Sequence, residues 1–385
     1  MIPTYESGQP IAVTAAADEQ LGSARRRKRT LTGIVALTVA IICLFLASLL
    51  PSGFVIRQPG PVVNTLGEVQ DTDGNEVALI EMPADVETFE TSGTLSLTTV
   101  QIVGNRESTP NWFQLAQAWF DPSKAVVTID SVFPPNQTSE QRQEQDSLMM
   151  ANSQHDATAA ALIELGYDVP IELQIGDVQE DGASAGKLEA GDVINGINGT
   201  PMASVLDMRA EIAKGNGADV TVNITRDGVT QDVVITPVKG DADGEVIWMI
   251  GVSAGPAYDF PFDVTIMLEN IGGPSAGMIF ALGIIDTLTP GEMTGGESIA
   301  GTGTINYAGE VGPIGGIQQK MRGALSAGAE YFLAPQANCS EVVGHVPNGL
   351  TVVKVSTLDE ARDAVETIGV GNEVEIASLP ACSVK

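Results

Sequence analysis

Hydrophobic and polar positions along this chain follow three different rhythms, and each predicts a different kind of element. From Leu31 to Leu50 (LTGIVALTVAIICLFLASLL) twenty residues carry no charge. At about 1.5 Å per residue that stretch spans about 30 Å, the hydrocarbon thickness of a bilayer, so it predicts one transmembrane helix. Short β-type runs follow, GTLSLTTVQIVG (93–104) and KAVVTIDSVF (124–133), broken by Pro, Gly and Asp clusters. Residues 148–165 (LMMANSQHDATAAALIEL) have helical composition, and Gly166 is placed to cap them. Between about 168 and 250 the character changes. VPIELQIGDVQ and AGDVINGINGTPM read as strands with tight turns, and Val205, Met208 and Ile212 repeat at helical spacing in SVLDMRAEIAKGNG. DVTVNITRDGVTQDVVITPV is a hairpin turning at Asp227-Gly228.

After Gly255 the mixed pattern resumes. DVTIML (263–268) reads as a strand and GPSAGMIFALGIIDTL (273–288) as an apolar helix with Pro274 in its first position. KMRGALSAGAEYFLAP (320–335) reads as helix into strand, and STLDEARDAVETIG (356–369) as a helix capped by Ser356 or Thr357. The predicted class is α+β. One discontinuous domain, 55–166 plus 251–370, surrounds a β-rich insertion at 168–250. The expected tails are 1–30 and 371–385, and 31–50 is the membrane helix.

Charge sets the orientation. Arg25, Arg26, Arg27, Lys28 and Arg29 directly precede the apolar stretch. By the positive-inside rule residues 1–30 stay in the cytoplasm, and everything after Pro51 lies outside the cell membrane. A cleaved signal peptide is the competing reading, but its apolar region is usually only about 7–15 residues long. The whole chain has 19 Lys and Arg against 49 Asp and Glu, a net charge of −30, which argues against nucleic acid as a partner. There are three cysteines. Cys43 falls in the span, whereas Cys339 and Cys382 fall outside, where oxidation is permitted; a disulfide and two free thiols both fit. Two histidines, His155 and His345, exclude a site built from three or more. No metal and no cofactor is expected.

Two short segments carry chemistry. Gly272-Gly273-Pro274-Ser275-Ala276-Gly277 puts a serine at the start of an apolar helix, where unpaired N–H groups and the helix dipole can hold an oxyanion. Gly312-Pro313-Ile314-Gly315-Gly316-Ile317-Gln318-Gln319-Lys320 leads a glycine-rich turn into a helix with one early lysine. Lysine serves as a general base when burial lowers its pKa. Taken singly, a capping serine and a solvated lysine explain these residues equally well.

Together the two segments resemble the Lon-type serine peptidases, with G-P-S-A-G around the nucleophile and P-I-G-G-x-x-x-K around the base, 45 residues apart. The resemblance implies Ser275 as nucleophile, Lys320 as base and Thr302 as the hydroxyl that orients the lysine. Thr304 and Asn306 stand where the family's T-G-E-x-T segment has Glu and a second Thr. Gly272 stands where the family often has Asp, which implies a more open site or a different regulation. The N-terminal span, S-G-T-L-x-L-T-T-V at 92–100, N-S-Q at 152–154 and G-x-G-T-I at 301–305 resemble a membrane-anchored bacterial branch with a PDZ domain and no ATPase. No GxxxxGK[ST] occurs, so hydrolysis is expected to be ATP-independent.

Residues 168–250 resemble a bacterial protease-type PDZ domain at Asp181-Gly182-Ala183-Ser184-Ala185, Leu188-Glu189-Ala190-Gly191-Asp192-Val193-Ile194 and Ile197-Asn198-Gly199. Its peptide groove is expected between about 170–178 and 204–214. Expected partners are protein or peptide substrates and the cytoplasmic membrane; a homo-oligomer is compatible with the sequence. Two alternatives come from other classes. One is a non-catalytic PDZ scaffold at the membrane surface. The other is an α/β-hydrolase-type esterase, because Gly273-x-Ser275-x-Gly277 fits a nucleophile elbow and Asp286 and His345 follow in order.

Overall fold

The computed structural model describes residues 30–42, 45, 51–70, 74–135, 137–202, 204–242, 245–268 and 271–383. Two compact units emerge: residues 1–59 with 100–139, and residues 60–99 with 140–385.

In the first unit, residues 30–42 are helical (α1) and exposed throughout. No helix among the described residues is long and apolar enough to cross a membrane. Residues 43–44 and 46–50 of the expected span lie outside the described residues. β1 (Phe54–Asn64) begins here, as does the far end of β2 (Thr94–Val103). α2 (Trp112–Phe120) is closed at its start by a capping box, in which Asn111 and Gln114 bond each other's backbone N–H. β3 (Ala125–Thr128) pairs antiparallel with Phe54–Arg57, and a small core forms from Ile56, Leu115 and Ala118. The run 124–133, expected as one strand, turns into a short helix at Ile129–Val132.

In the second unit, α3 (Ser139–Glu164) is longer than the predicted 148–165 helix and takes in the polar run before it. The insertion follows, built from β4 (Ile171–Val178), β5 (Val193–Ile197), α4 (Val205–Lys214), β6 (Val220–Arg226), β7 (Val229–Ile235) and β8 (Val252–Tyr258). Its sheet runs β7-β6-β5-β4-β8 around a separate core that includes Leu173, Ile194, Met208, Ile212 and Val222. The β6–β7 turn is the expected Asp227-Gly228, at φ 50° and 77°. Positive φ at both central residues is the mirror-image turn that matches strand twist. The sheet takes in β8, so the insertion's strands extend past 250. Its ends meet where the Asp259 N–H donates to the Pro170 carbonyl at 3.1 Å.

The rest of this unit forms the larger core. α5 (Gly277–Leu288), β9 (Ser298–Gly301), α6 (Ile317–Ser326), β10 (Tyr331–Pro335), β11 (Thr351–Val355) and α7 (Leu358–Val370) follow in order. β2, β9, β10 and β11 are parallel neighbours, a pattern that helices crossing the faces produce. α5 is buried along all of Gly277–Asp286, apolar on every side, and packs with Leu95, Leu97, Ile299 and α7. Thr357 caps α7 by accepting from the Glu360 N–H. Cys339 and Cys382 form a disulfide.

Candidate active site

Ser275 sits in a turn one residue before the Ala276 cap of α5, so the helix begins at Gly277 instead of Pro274. Gly273, at φ 88°, takes a left-handed conformation that turns the chain into that position. Gly277 is required for space. A side chain there would begin 2.8 Å from Ser153 Oγ and 3.0 Å from Ile305 Cγ2. Ser153, buried on α3, donates to the Pro274 carbonyl at 3.0 Å and fixes the turn from behind.

Lys320 arrives from the other side. Gly316 starts α6, and the loop before it is pinned twice by Asn338, which accepts from the Ile314 N–H and donates to the Ile314 carbonyl, each at 2.9 Å. Lys320 is only 2% exposed. Its Nζ lies 2.7 Å from Ser275 Oγ and 2.8 Å from Thr302 Oγ1. Burial draws its pKa down from 10.5 to about 7. No ion pair among the described residues involves it, so no counter-charge offsets the lost hydration of its charged form.

Thr302 gives this contact a direction. Its hydroxyl donates to the Ser275 carbonyl at 2.9 Å, and that carbonyl also accepts from the Gly303 N–H at 2.9 Å. With its single proton committed, Thr302 Oγ1 can only accept from Lys320. A neutral amine that donates to Thr302 is left with its lone pair free for the Ser275 hydroxyl proton. Thr98 supports the site by donating to the Gly301 carbonyl, one residue before Thr302, at 3.0 Å. The N–H groups of Ser275 and Ala276 have no intramolecular acceptor among the described residues, and α5 has no side-chain cap. They are therefore available to an oxyanion.

Residues 270–366 match the model of the Lon protease (S16) C-terminal proteolytic domain, and residues 142–236 match the PDZ domain model. The chain carries a Lon-type proteolytic domain and a PDZ domain. The former is the proteolytic domain of a serine peptidase. A Lon protease of Geobacter metallireducens is 27% identical over 183 residues, which are 46% of this chain and 22% of that protein. Lon protease 2 of Herpetosiphon aurantiacus is 40% identical over 91 residues, 23% of this chain and 11% of that protein. Lon protease 1 of Bacillus subtilis is 38% identical over 109 residues, 28% of this chain and 14% of that protein. The chain thus spans less than a quarter of the length of these curated relatives.

Four expectations change. The space beside Gly272, expected to be open, is filled from another element: Asp146 Cβ on α3 lies 2.7 Å from where a side chain at 272 would begin. Its carbonyl accepts from the Gly273 N–H at 2.9 Å, and its carboxylate pairs with Arg142 at 3.5 Å. Second, β4 cannot take an added peptide strand, because it is paired with β8 on one side and β5 on the other. The sheet ends in β7 on one side and β8 on the other, and β8 lies in the segment expected to follow the insertion. Third, Asp286 does not approach Ser275. It lies 11 residues further on, about 16 Å along the axis of α5, and accepts from the Met293 N–H at 3.0 Å. His345 is exposed in a turn. Fourth, the strand expected over 263–268 shrinks to Thr265–Ile266, and residues 269 and 270 lie outside the described residues. Ser153, quoted in the N-S-Q segment without a role, is the functional residue that sequence reasoning passed over. Its only signal was a small polar residue on the buried side of a helix.

Proposed function

We propose that this protein is an ATP-independent serine endopeptidase, anchored in the cytoplasmic membrane with its catalytic domain outside, that uses Ser275 and Lys320 as a dyad. The observation that carries the reading is a 2% exposed lysine whose Nζ stands 2.7 Å from a turn serine. Neutral Lys320 takes the Ser275 proton as Ser275 Oγ attacks the peptide carbonyl carbon. The N–H groups of Ser275 and Ala276 hold the oxyanion. Lys320 then gives its proton to the leaving amine, and a water, activated by the same amine, hydrolyses the acyl-enzyme. Thr302 keeps the amine aligned.

Protein or peptide substrates of the cell envelope dock on the PDZ domain, adding a strand to the β8 edge. The basic run before residues 31–50 supports the orientation, and the Cys339–Cys382 disulfide suits an oxidising compartment. The chain's own residues provide no nucleotide site of the GxxxxGK[ST] type, so substrates must already be exposed or flexible. Peptide hydrolysis by Lys320→Arg and His345→Ala, measured side by side, tests the dyad. Lys320→Arg should be inactive, since arginine keeps its proton, and His345→Ala fully active. A competent Lys320→Arg enzyme would overturn the reading.

A further inference from the structure

We propose that the aromatic face of α2 is seated in the interface of the bilayer beside the anchor and fixes the first unit against the membrane surface. This rests on the membrane-anchored reading above. α2 exposes Trp112 (40%), Phe113 (65%), Trp119 (65%) and Phe120 (90%). At about 100° of rotation per residue these four fall within an arc of about 120°. Leu115 and Ala118, 0% and 2% exposed, lie on the other side and bind α2 to its own unit. Four large rings facing solvent on one short helix are a patch that wants a cover.

Two features select a bilayer as that cover. The first is attachment. Ser52, two residues after the apolar stretch ends at Leu50, donates its hydroxyl to the Pro110 carbonyl at 2.6 Å, and its N–H bonds Thr109 Oγ1 at 3.2 Å. Phe54 meets the Trp112 ring edge-on at 6.3 Å between centroids. The first turn of α2 is therefore tied to the point where the chain leaves residues 31–50. The second is chemistry. Residues 108–120 (STPNWFQLAQAWF) carry no charge in a chain whose net charge is −30. An acidic surface is repelled by anionic headgroups, so this neutral stretch is where the unit can approach lipid. Tryptophan and phenylalanine beside Gln and Asn match the interfacial belt, where an apolar ring lies under a wet, polar rim.

The chain has three tryptophans, so Trp248→Phe leaves Trp112 and Trp119 as the only emitters. The full-length variant is reconstituted into phosphatidylcholine vesicles, plain or brominated near the headgroup end of the acyl chains. Expected are co-flotation with the vesicles, blue-shifted emission, and quenching of about twofold or more by the shallow bromines, as for rings at interfacial depth. Bromines near the tail ends should quench less. A chain that floats with vesicles but whose emission is unquenched overturns the placement of α2 and leaves the anchor intact. A chain that does not float overturns both. Cross-linking of two copies through Phe120→Cys, with no quenching, would assign the face to self-association and also overturn the proposal. A thermal melt matching wild type establishes that the variant is folded, and Trp248→Tyr replaces it where it does not match.

Discussion

Lys320 in the proteolytic core and Arg226 in the PDZ insertion are both cations held on secondary structure, and their surroundings pull them in opposite directions. Arg226 has a quarter of its side chain in solvent. It bonds both Asp192 oxygens, at 2.6 and 2.7 Å, Glu189 at 2.6 Å and the Lys187 carbonyl at 3.1 Å. The Asp192 hydrogen bond holds its pKa above the usual guanidinium range, and Asp192 is lowered in return. Among the described residues Lys320 meets only two hydroxyls, and burial lowers its pKa to about 7. One cation is neutralised by acids and joins loop to strand. The other is left without an acid, and so it can lose its proton near neutral pH. Withholding a counter-charge is what leaves a buried amine able to act as a base near neutral pH.

The largest expected effect tests that contrast directly. Ser275→Ala, Lys320→Arg and the double variant should each lose about 10⁴-fold or more of peptide hydrolysis, with the double little worse than either single, because the two groups act as one unit. Wild-type activity should rise with pH through an apparent pKa near 7 and level off above it, since the neutral amine is the active form. A profile that falls as pH rises through 7, or losses that multiply in the double variant, would contradict a lysine base.

Next comes separation of the two regions. Because Pro170 and Asp259 are hydrogen-bonded across the base of the insertion, residues 171–258 can be replaced by a short glycine linker. Turnover of a protein substrate recruited through β8 should fall about a hundredfold, the scale of lost effective concentration, with short-peptide hydrolysis nearly unchanged. Tyr258, whose hydroxyl bonds Asp156 on α3 and whose ring meets Tyr307, is a tie that this replacement removes. An equal loss on both substrates would mean that the insertion props the core.

What the sequence made legible follows the same division. Ser275, Thr302 and Lys320 sit in short segments whose glycines and prolines encode their own turns, so the residues the structure gathers within 2.9 Å were readable from local pattern and resemblance. The β6–β7 hairpin and α4 were readable too, because a two-residue turn and a helical repeat are local. What escaped joins distant residues. β8 pairs with β4 across the whole insertion, Ser153 reaches Pro274 over 121 positions, and Asp146 fills the space beside Gly272 from another helix. No periodicity records such contacts. The helix start at Gly277 was missed for a local reason: proline suits a first helical position, but Gly273 bends the chain so that the turn runs on to Ala276.

A smaller effect should come from Thr302→Val, which keeps the shape and removes the acceptor that directs the amine. Activity should drop about tenfold to a hundredfold, with the apparent pKa near 7 retained, because burial and not Thr302 sets it. Loss of the pKa together with the activity would assign Thr302 a part in setting the base strength.

The smallest effect concerns a second buried ionisable group, on α5. Asp286 is 0% exposed. One oxygen accepts from the Met293 N–H and the other has no partner among the described residues, and burial raises its pKa to about 6. A carboxyl whose folded pKa exceeds its unfolded value favours the folded state when protonated. That contribution is complete below the unfolded value of 3.8 and is lost as pH rises through about 6. At pH 8 the folded core therefore holds a charge it solvates poorly. Asp286→Asn keeps the acceptor for Met293 and removes the charge. It should stabilise the protein by about 1–2 kcal/mol at pH 8 and by almost nothing at pH 4, as read from paired denaturant melts. Lys320 runs the other way. Its folded pKa is lowered, so the core is destabilised as pH falls from the unfolded value of 10.5 through about 7. Asp286 sits far from Ser275, so Asp286→Asn should leave peptide hydrolysis unchanged while it raises the melting temperature. A large loss of activity in that variant would return Asp286 to the reaction and undo the separation of roles between the two buried groups.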